Sequence, residues 1–487
     1  MKKCLALGVI ILLIFVFAGC DSGPEEEEYT LEISVVGNGS VSVDGVEIDD
    51  DETETFNYDE TTSVPLEVSP DDDYIADWSG DTDKITDEGD ILVDGDVSLT
   101  VTFQVDAETL KVINSIDADQ VKRTAAITDD LVIVPGGEKL RALDKDNMEE
   151  EWSYDAGSEI TTSPLVDEDG VIYIGTADEV IAVDDGEEKW DENPDIGNFS
   201  NTDSGFALVL ADESSGGSAE IIVGSNDKDL YAVDADNGNQ SWEEDVDASV
   251  LNNPAVDSDR GAVYVAAGEK VVAYDLETRD EEWTVDAEDI AEEDNIDTED
   301  FDINEASPAV GEDMLYVASF EGTLYALDLE NDGKVEWSYD TEGKISASPV
   351  IGTDETVYLG SGNDEGDAGT FHAVRDGEAE WKIDIDASVN TTAAVTGDGE
   401  IYFGDSKGTF YMVDAEEKAN EEKVKEKQEL DGTIESGVTV DDDGTIYVGC
   451  DGNREELSFY SLAGDSGLAD SPWPKIGADL RNTSRKQ

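Results

Sequence analysis

The residues that could do acid–base or nucleophilic chemistry are few in this chain of 487 residues. His372 is the single histidine, so a Ser-His-Asp triad would have to include it, and a metal site with several histidines cannot form. Other repeats of the chain carry Tyr231 and Tyr325 at the same position, which indicates a structural strand residue. Cys450 follows a strand and has no evident partner base, so we expect a buried and inert thiol. No catalytic residue is therefore predicted.

Acidic turns are the remaining candidates for chemistry, because carboxylates can bind Ca²⁺. The segments 167–170 and 441–444 each combine acidic residues with a glycine. They lack the alternating aspartates and the final glutamate of an EF-hand loop, so we expect them to be hairpin turns. The sequence thus predicts no metal ligands and no cofactor site.

The charge of the chain limits its partners. Lys and Arg total 28 against 124 Asp and Glu, which gives a formal net charge of −96. Binding to nucleic acid or to anionic lipid needs clustered basic residues and is not expected. An apolar share of 38% with 45 glycines still suits a folded protein. Carboxylates spread along the whole chain indicate adaptation to high salt, where their repulsion is screened. An ordinary acidic extracytoplasmic protein is the alternative.

The first 28 residues are expected to be a targeting segment and a tether rather than part of a folded domain. Two lysines precede an apolar stretch at 5–17, and two small residues stand before Cys20. The segment 1–19 resembles the signal peptide of bacterial lipoproteins, which implies cleavage before Cys20 and lipid on its sulfur. An ordinary secretory signal is the alternative. Residues 20–28 would then be an acidic tether. The body would lie outside the cytoplasm, anchored at the periplasmic face or cell surface by two acyl chains.

Residues 29–105 alternate apolar and polar side chains in the manner of β-strands. The Gly-Asn-Gly-Ser-Val turn at 37–41, the Trp-Ser-Gly-Asp segment at 78–81 and the strand at 97–103 resemble a divergent InlB-type B-repeat of bacterial surface proteins. The resemblance implies a small β-domain that serves as a spacer or an adhesive element. It brings no catalytic residues, and Trp78 is expected in the core.

From residue 107 onwards the chain repeats every 40 to 54 residues or so, about the length of a propeller blade. Each repeat contains a strand of the apolar-Tyr-apolar type, such as 172–175, and then a strand that ends in an Asp turn, such as 230–234. Six repeats add a tryptophan shortly after that second strand. These tryptophans are Trp152, Trp190, Trp242, Trp283, Trp337 and Trp381. Short strands separated by Asp/Gly turns predict several antiparallel strands per repeat.

The segment 232–242 resembles the tryptophan-docking motif of the PQQ-type propeller repeat. The resemblance implies that each indole packs against the next blade, a structural role for all six tryptophans. Met148 and Arg279 stand where the motif usually has glycine. The repeat that contains Asp414 lacks the tryptophan and carries a Lys/Glu-rich insertion at 416–429.

Eight pairs of landmarks predict an all-β fold in which residues 107–487 form an eight-bladed β-propeller, preceded by the small β-domain. Seven blades are the alternative. The last sheet must be completed by the beginning of the propeller segment, because closure removes an open edge. Residues 109–116 have the right spacing to be the outer strand of that last blade. The C-terminal segment 471–483 also resembles a segment common in this family.

The family resemblance offers two classes of function. Quinoprotein dehydrogenases use such propellers with two adjacent cysteines, Ca²⁺ and a catalytic aspartate at the central funnel, but this chain has no adjacent cysteines. We therefore expect no cofactor and no enzyme activity, and a quinone-dependent dehydrogenase is the weakest alternative. The chain more closely resembles the BamB-type outer-membrane assembly lipoproteins, which implies a non-catalytic propeller that binds partner proteins.

The favoured hypothesis is a monomeric, lipid-anchored extracytoplasmic scaffold that binds envelope or surface proteins. A role in outer-membrane protein assembly is its leading form, and surface adhesion or ligand sensing is the alternative. Loops usually carry binding on a rigid ring, because they are exposed and variable. The candidate partner surface consists of four insertions, at 197–219, 288–301, 362–369 and 416–429.

Overall fold

The structure is a computed structural model, and it describes most of the chain between residues 29 and 484. The described residues are 29–36, 39–43, 46–48, 53–58, 62–70, 74–80, 82–85, 91–93, 95–105, 110, 112–145, 147–190, 206–209, 219–287, 302–303, 305–415, 423–451, 458–464, 466–469, 471–480 and 482–484. The chain divides into two compact units between Asp106 and Ala107. Within the described residues, no helix has the length and hydrophobicity that crossing a membrane requires.

The described residues of the N-terminal unit form short strands and one 3-10 helix, Thr82–Lys84. The strands are β1 (Tyr29–Val36), β2 (Gly39–Val43), β3 (Val46–Ile48), β4 (Thr53–Tyr58), β5 (Thr62–Val64), β6 (Leu66–Pro70), β7 (Tyr74–Gly80), β8 (Ile91–Val93) and β9 (Val97–Val105). They form sheets in the orders β4-β1-β9-β7, β3-β2-β6 and β5-β8. The first and last strands of the unit, β1 and β9, pair in parallel.

The alternating pattern of the sequence places one face of these strands in a core. Leu31, Ile33 and Val35 of β1 are buried beside Leu99 and Val101 of β9. This burial follows from the two-residue period of a strand, which puts every second side chain on the same face. Trp78 lies in β7, where the register pairs it with Val101.

The described part of the C-terminal unit contains eight sheets in succession, seven of which are built from four consecutive strands. Blades 1 to 4 comprise β11 (Ala126–Ile127), β12 (Leu131–Gly136), β13 (Lys139–Asp144) and β14 (Glu150–Asp155); β15 (Leu165–Val166), β16 (Ile172–Gly175), β17 (Val180–Asp184) and β18 (Glu187–Glu188); β19 (Phe206–Val209), β20 (Glu220–Gly224), β21 (Asp229–Asp234) and β22 (Gln240–Asp245); β23 (Ala255–Asp257), β24 (Ala262–Ala267), β25 (Lys270–Asp275) and β26 (Glu281–Asp286). In each blade the first strand is innermost and the fourth is outermost.

Blades 5 to 7 repeat this arrangement, and blade 8 completes the ring. Their strands are β27 (Ala309–Val310), β28 (Met314–Ala318), β29 (Thr323–Asp328) and β30 (Lys334–Asp340); β31 (Val350–Ile351), β32 (Val357–Gly362), β33 (Gly369–Arg375) and β34 (Glu378–Ile385); β35 (Ala394–Val395), β36 (Glu400–Gly404), β37 (Thr409–Asp414) and β38 (Val424–Glu429); β39 (Thr433–Ile434), β40 (Thr439–Val440), β41 (Ile446–Asp451) and β42 (Phe459–Leu462).

The middle strands of each blade are buried over most of their length, whereas outer strands such as β22 alternate. Every residue of β16 is buried, and β22 alternates half-buried and exposed residues. The reason is that neighbouring blades cover both faces of a middle strand, and an outer strand has one face in solvent. The apolar runs of the sequence therefore mark the middle of each blade.

The ring closes through the strand that was predicted from the sequence. The strand β10 (Val112–Ile116) pairs antiparallel with β42 and becomes the outer strand of blade 8. Blade 8 also shares an apolar cluster with blade 1, in which Tyr447 and Phe459 pack with Val132 and Met148. Each of the other pairs of neighbouring blades is likewise joined by a buried cluster. The all-β, eight-bladed propeller is confirmed.

Two of the predicted insertions contain regular strands, so those predictions were wrong in part. The segment 197–219 includes β19, the inner strand of blade 3. The segment 416–429 includes β38, the outer strand of blade 7, with Glu426 opposite Met412. The sequence did not predict β38 as a strand, because the exposed face of an outer strand accepts Lys and Glu as readily as any other residue.

Candidate functional site

A small polar cavity, the axial cup, lies on the axis of the ring and has a volume of about 130 Å³. Its wall is formed by the residues that immediately precede the inner strands of the blades, among them Thr161, Glu305 and Asn390. One end of every blade supplies these residues, because four antiparallel strands return the chain to the same end before each new inner strand. We call this end of the ring the cup face.

Hydroxyl groups link the blades around the wall of the axial cup. In each link a backbone N–H of one blade donates to a side-chain hydroxyl of the next blade, at 2.9 to 3.1 Å. The donor and acceptor pairs are Thr124 and Ser163, Asn253 and Ser307, Ser307 and Ser348, Ser348 and Thr392, and Gly437 and Thr124. We call this set the hydroxyl relay. Three of these links are buried, so each of those three satisfies an N–H that lies away from water, and together the links fix the spacing of the blades.

The hydroxyl relay changes character between blades 7 and 8, where Gly437 occupies the hydroxyl position. A Cβ atom at Gly437 would lie 2.4 Å from the Thr124 Oγ1, so the glycine is required there. The link between the two blades is instead made by the backbone, with the Val438 N–H donating to the Thr392 carbonyl at 3.1 Å. Blades 7 and 8 are therefore joined differently from the pairs that the hydroxyl relay links.

Charged side chains surround the mouth of the axial cup. The Lys122 Nζ lies 3.8 Å from a Glu435 carboxylate oxygen and 3.4 Å from one of Asp451. Arg123 and Glu305 also line the cavity, and they come from blades 1 and 5, which are opposite in a ring of eight. Two cations and two carboxylates line this cavity, in contrast to the net charge of −96 for the whole chain.

The C-terminal residues 471–484, which we call the tail, form the floor of the axial cup. Ile476 of the tail lines the cavity. Carbonyls of the tail accept hydrogen bonds at 2.7 to 2.9 Å from N–H groups of inner strands in four blades. The donor and acceptor pairs are Ile127 and Leu480, Val256 and Ser484, Ile351 and Trp473, and Val395 and Pro474. The tail thus crosses the axis and closes it on the side opposite the cup face.

The axial cup does not fit an organic quinone of the kind that the quinoprotein resemblance implies. Sites for small organic molecules usually have volumes of about 300–1,000 Å³, against 130 Å³ here, and the floor is the chain itself. Cys450 is fully buried in β41, and burial raises the pKa of its thiol to about 12. Among the described residues, no group of three or more His, Cys, Asp or Glu side chains could hold a metal ion.

His372 lies inside the sheet stack between blades 5 and 6, as a strand residue of β33. The Tyr339 hydroxyl is 3.1 Å from its Nδ1, and the Ser361 Oγ is 3.0 Å from its Nε2. The side chain is 1% exposed, and burial lowers the pKa of the imidazole to about 4. These contacts match the structural role predicted from the sequence.

The two acidic turns are hairpin turns, as predicted. The Gly170 N–H donates to the Asp167 carbonyl at 3.2 Å, and the Gly444 N–H donates to the Asp441 carbonyl at 3.0 Å. The Asp441 carboxylate lies 2.5 Å from the Lys145 Nζ of blade 1. The negative charge of this carboxylate is therefore paired with a lysine of the protein itself.

Four of the six tryptophans lie against a glycine of the next blade. That glycine stands in the turn between the third and fourth strands, has a positive φ, and leaves only 2.5 to 3.2 Å between an added Cβ and the tryptophan side chain. The pairs are Trp152 and Gly186, Trp190 and Gly238, Trp283 and Gly333, and Trp337 and Gly377. The close approach shows why the motif has glycine at this position.

The other two tryptophans meet a cation of the next blade instead. The Arg279 guanidinium lies 5.3 Å from the centroid of the Trp242 ring, and the Lys423 Nζ lies 4.4 Å from that of Trp381. Arg279 adopts a φ of 67°, so it keeps the backbone conformation of the glycine it replaces. Its guanidinium also lies 2.5 Å from a Glu220 carboxylate oxygen.

The candidate partner loops are described only in part. The loop 362–369 packs on blade 7, where the Gly366 carbonyl accepts hydrogen bonds from the Ser388 N–H at 3.4 Å and from the Ser406 Oγ at 3.3 Å. Residues 197–205, 210–218, 288–301 and 416–422 lie outside the described residues, as does Cys20.

Sequence reasoning missed the hydroxyl relay and the floor of the axial cup. The signal for the relay was present, because Ser163, Ser307 and Ser348 each precede a proline that opens an inner strand. A Ser-Pro pair recurring at the same position in three repeats could have identified the axis. For the tail, the sequence showed only a resemblance to a segment common in the family, and that resemblance does not indicate where the segment lies in the structure.

Comparison with known proteins agrees with this geometry. No curated protein matches the chain. Among solved structures, BamB from Moraxella catarrhalis has 18% identity, covering 73% of this chain and 97% of that one, with a TM-score of 0.54. A europium-containing methanol dehydrogenase has 14% identity, covering 73% and 93%, with a TM-score of 0.58. The quinohemoprotein alcohol dehydrogenase of Comamonas testosteroni has 14% identity, covering 75% and 78%, with a TM-score of 0.57. At these identities the structures share a fold.

The sequence also matches a family model, described as outer membrane protein assembly factor BamB, over residues 104–284 and 298–450. The match begins at the end of β9 and includes all eight blades at least in part. Because it takes in more than half of the chain, this propeller protein belongs to the BamB family.

Proposed function

We propose that the protein is a non-catalytic, lipid-anchored extracytoplasmic scaffold that binds envelope proteins through the cup face of its propeller. The observation that carries the proposal is the filled axis: the tail reduces the central space to a cavity of about 130 Å³. A ring whose centre is occupied by its own chain offers its rim loops and cup face to a macromolecule more readily than its interior to a small substrate.

The topology favours the cup face as the binding surface. The two long connections from Glu188 to Phe206 and from Asp286 to Ala309 each join an outer strand to the next inner strand, so both leave and re-enter at the cup face. Both contain segments that we propose as the partner surface, within 197–219 and 288–301. Long loops on a rigid scaffold are common sites of recognition.

The specific role that we propose is in the assembly of outer-membrane proteins. Membership of the BamB family supports this role, and so does the lipoprotein-like start of the sequence. Lipid on Cys20 would hold the propeller near the membrane through the acidic tether 20–28.

Surface adhesion is a second candidate, favoured by the N-terminal unit. The family match starts at residue 104, so β1 to β8 lie outside it. This unit has its own buried core and resembles modules of bacterial surface proteins in its turn and strand sequences. An adhesive module on the same lipid anchor would place the protein on the outside of the cell.

Site-specific crosslinking in native cells tests the proposal. A photoreactive amino acid is placed at Glu138 or Glu321, which are exposed in turns of the cup face, or at Glu243, which is exposed on the outer strand β22. We expect barrel-assembly components to crosslink from the first two positions and not from Glu243. Crosslinks to glycans or host proteins would favour adhesion, and equal crosslinking from all three positions would contradict a cup-face scaffold.

A Cys20→Ser variant provides the matched control for anchoring. It should move the protein from the membrane fraction to the soluble fraction and lower the yield of crosslinks. Dye-linked oxidation of alcohols or sugars on addition of quinone and Ca²⁺ would overturn the non-catalytic part of the proposal.

A further inference from the structure

The tail makes the kind of contacts that a bound peptide makes. Its carbonyls accept hydrogen bonds from the N–H groups of Ile127, Val256, Ile351 and Val395, which belong to blades 1, 4, 6 and 7. Blades 1 and 4 share no interface with each other or with blade 6. The tail is therefore the element that ties distant blades directly together.

A tryptophan and a serine anchor the beginning of the tail. Trp473 is 1% exposed and lies in the apolar cluster that joins blades 4, 5 and 6. The Ser471 Oγ donates a hydrogen bond to the Ile351 carbonyl at 2.6 Å. An indole can bury roughly 150–250 Å² of surface. This end of the tail thus has both an apolar and a polar point of recognition.

A buried lysine organises the middle of the tail. Lys475 has no exposed surface, and its Nζ donates to the Ile476 carbonyl at 2.8 Å, to the Asp479 carbonyl at 3.1 Å and to the Asn482 Oδ1. An ammonium group has three donors, so all of them are used. The lysine therefore folds the tail on itself and links it to Asn482.

Asn482 connects the tail to the ring by hydrogen bonds. Its Nδ2 donates to the Pro164 carbonyl at 2.9 Å and also reaches the Ala125 and Thr124 carbonyls at 3.3 and 3.4 Å. These carbonyls stand directly before inner strands of blades 1 and 2, beside the hydroxyl relay. Lys475 thus holds the tail in its folded form, and Asn482, which Lys475 contacts, attaches the tail to blades 1 and 2.

We propose that the axis of the ring is a peptide-binding site, which the chain fills with its own tail. The ligand that it takes is a segment folded by turns, with the pattern Ser-Pro-Trp-Pro-Lys followed by an asparagine seven residues after the lysine. Backbone N–H groups of the ring pair with backbone carbonyls of the ligand, which any sequence supplies. The side chains of Trp473, Lys475 and Asn482 therefore provide the specificity. This assignment stands independently of the partner of the cup face.

A nicked form of the full chain tests whether the tail is a separable ligand. A protease recognition sequence inserted after Gly464 allows the purified protein to be cut in molar NaCl while it is folded. We expect the released C-terminal fragment to stay with the ring in gel filtration and to exchange slowly with a labelled synthetic peptide of residues 466–487. A fragment that elutes away from the ring, with an unchanged melting temperature, would overturn the proposal.

Peptide variants test the specificity. Peptides with Lys475→Met or Asn482→Ala should bind the ring at least tenfold more weakly than the natural peptide. The Lys382→Met change in the ring is the matched control, because it removes an exposed lysine of β34 and should leave peptide binding unchanged. Equal affinity of all the peptides would show that no recognition takes place.

Hydrogen exchange on the uncut chain keeps the proposal testable if the insertion prevents folding. In the Lys475→Met variant, the amides of Ile127, Val256, Ile351 and Val395 should exchange at least tenfold faster, because the tail carbonyls that they pair with are loosened. Amides of middle strands such as β24 should keep their protection. Unchanged protection of all four amides would overturn the proposal.

Discussion

The ring contains two kinds of interface between blades, and they are stabilised in different ways. At six interfaces, from blades 1 and 2 to blades 6 and 7, a tryptophan in the outer strand or just after it lies against the next blade. At the other two, which flank blade 8, the aligned positions are Glu426 and Asn114. The interfaces without tryptophan are those made by the joined ends of the propeller segment.

Other contacts replace the indoles around blade 8. Met148 stands at the glycine position of blade 1 and is buried beside Tyr447 and Phe459. The Gly437 N–H donates to the Thr124 Oγ1, and the outer strand comes from the beginning of the propeller segment. The difference teaches that the indole is one of several means of holding blades together, and that it depends on a turn in the next blade to receive it.

Removal of a buried indole should have the largest effect. Trp190 is 3% exposed, its ring centroid lies 5.7 Å from that of Tyr173, and its Nε1 donates to the Ala235 carbonyl at 3.3 Å. Trp190→Ala should lower the free energy of unfolding by about 4 kcal/mol. Denaturant unfolding in molar salt measures this loss of free energy. The control is Glu426→Ala, from an interface without tryptophan. Equal losses in the two variants would remove the distinction between the interfaces.

The turn that receives the indole should be nearly as sensitive. Gly238 has a φ of 72°, and a Cβ there would lie 2.7 Å from the Trp190 ring. Gly238→Ala should cost about 2–3 kcal/mol, because backbone strain of about 1–2 kcal/mol adds to the clash. Gly261 has a φ of 67° with open space around it, so Gly261→Ala gives the strain alone in the same unfolding measurement. Identical costs at the two glycines would show that the indole is not in tight contact.

The blades could be predicted from the sequence because their signals are local and repeated. The register pairs Tyr264 with Ala273 and Ala273 with Trp283, so the three landmarks of a repeat form one row across the sheet. Residues 109–116 could be assigned to the last blade by spacing alone. The strands β19 and β38 were assigned to insertions, since each is a short strand in a segment rich in acidic or polar residues.

The axis could not be predicted because its contacts are not local. A single hydroxyl such as Thr124 pairs with blade 8, 313 residues away, and the hydrophobic pattern carries no trace of that contact. The tail has no regular secondary structure among its described residues, and its structure depends on the ring that surrounds it. The choice between a catalytic funnel and a filled one was therefore beyond sequence reasoning, except through the lack of adjacent cysteines.

The pH dependence of stability tests whether an interface with tryptophan excludes water. Burial holds the pKa of His372 at about 4, below its ordinary value of 6.5, so the unfolded chain takes up a proton before the native state does. The free energy of unfolding should therefore fall as the pH decreases from about 7 to 5, by roughly 2 kcal/mol. Glutamine does not titrate, so the free energy of unfolding of the His372→Gln variant should fall by less over the same pH range.

NMR provides a direct measurement, because the chain has one histidine. The His372 ring signals should stay constant as the pH falls from 7 to 5. A midpoint near 6.5 would show that water reaches the interface between blades 5 and 6.

The smallest effect is expected where a tryptophan is added without a turn to receive it. Glu426 pairs with Met412 as Trp381 pairs with Ala373, so Glu426→Trp places an indole at the correct register position. In blade 8, however, β42 leads into the tail, and the outer strand β10 comes from elsewhere in the chain. No turn joins the third strand of that blade to its fourth. The free energy of unfolding should change by less than about 0.5 kcal/mol. A gain of 2 kcal/mol or so, as expected from burying an indole, would show that docking needs only a neighbouring blade and not its turn.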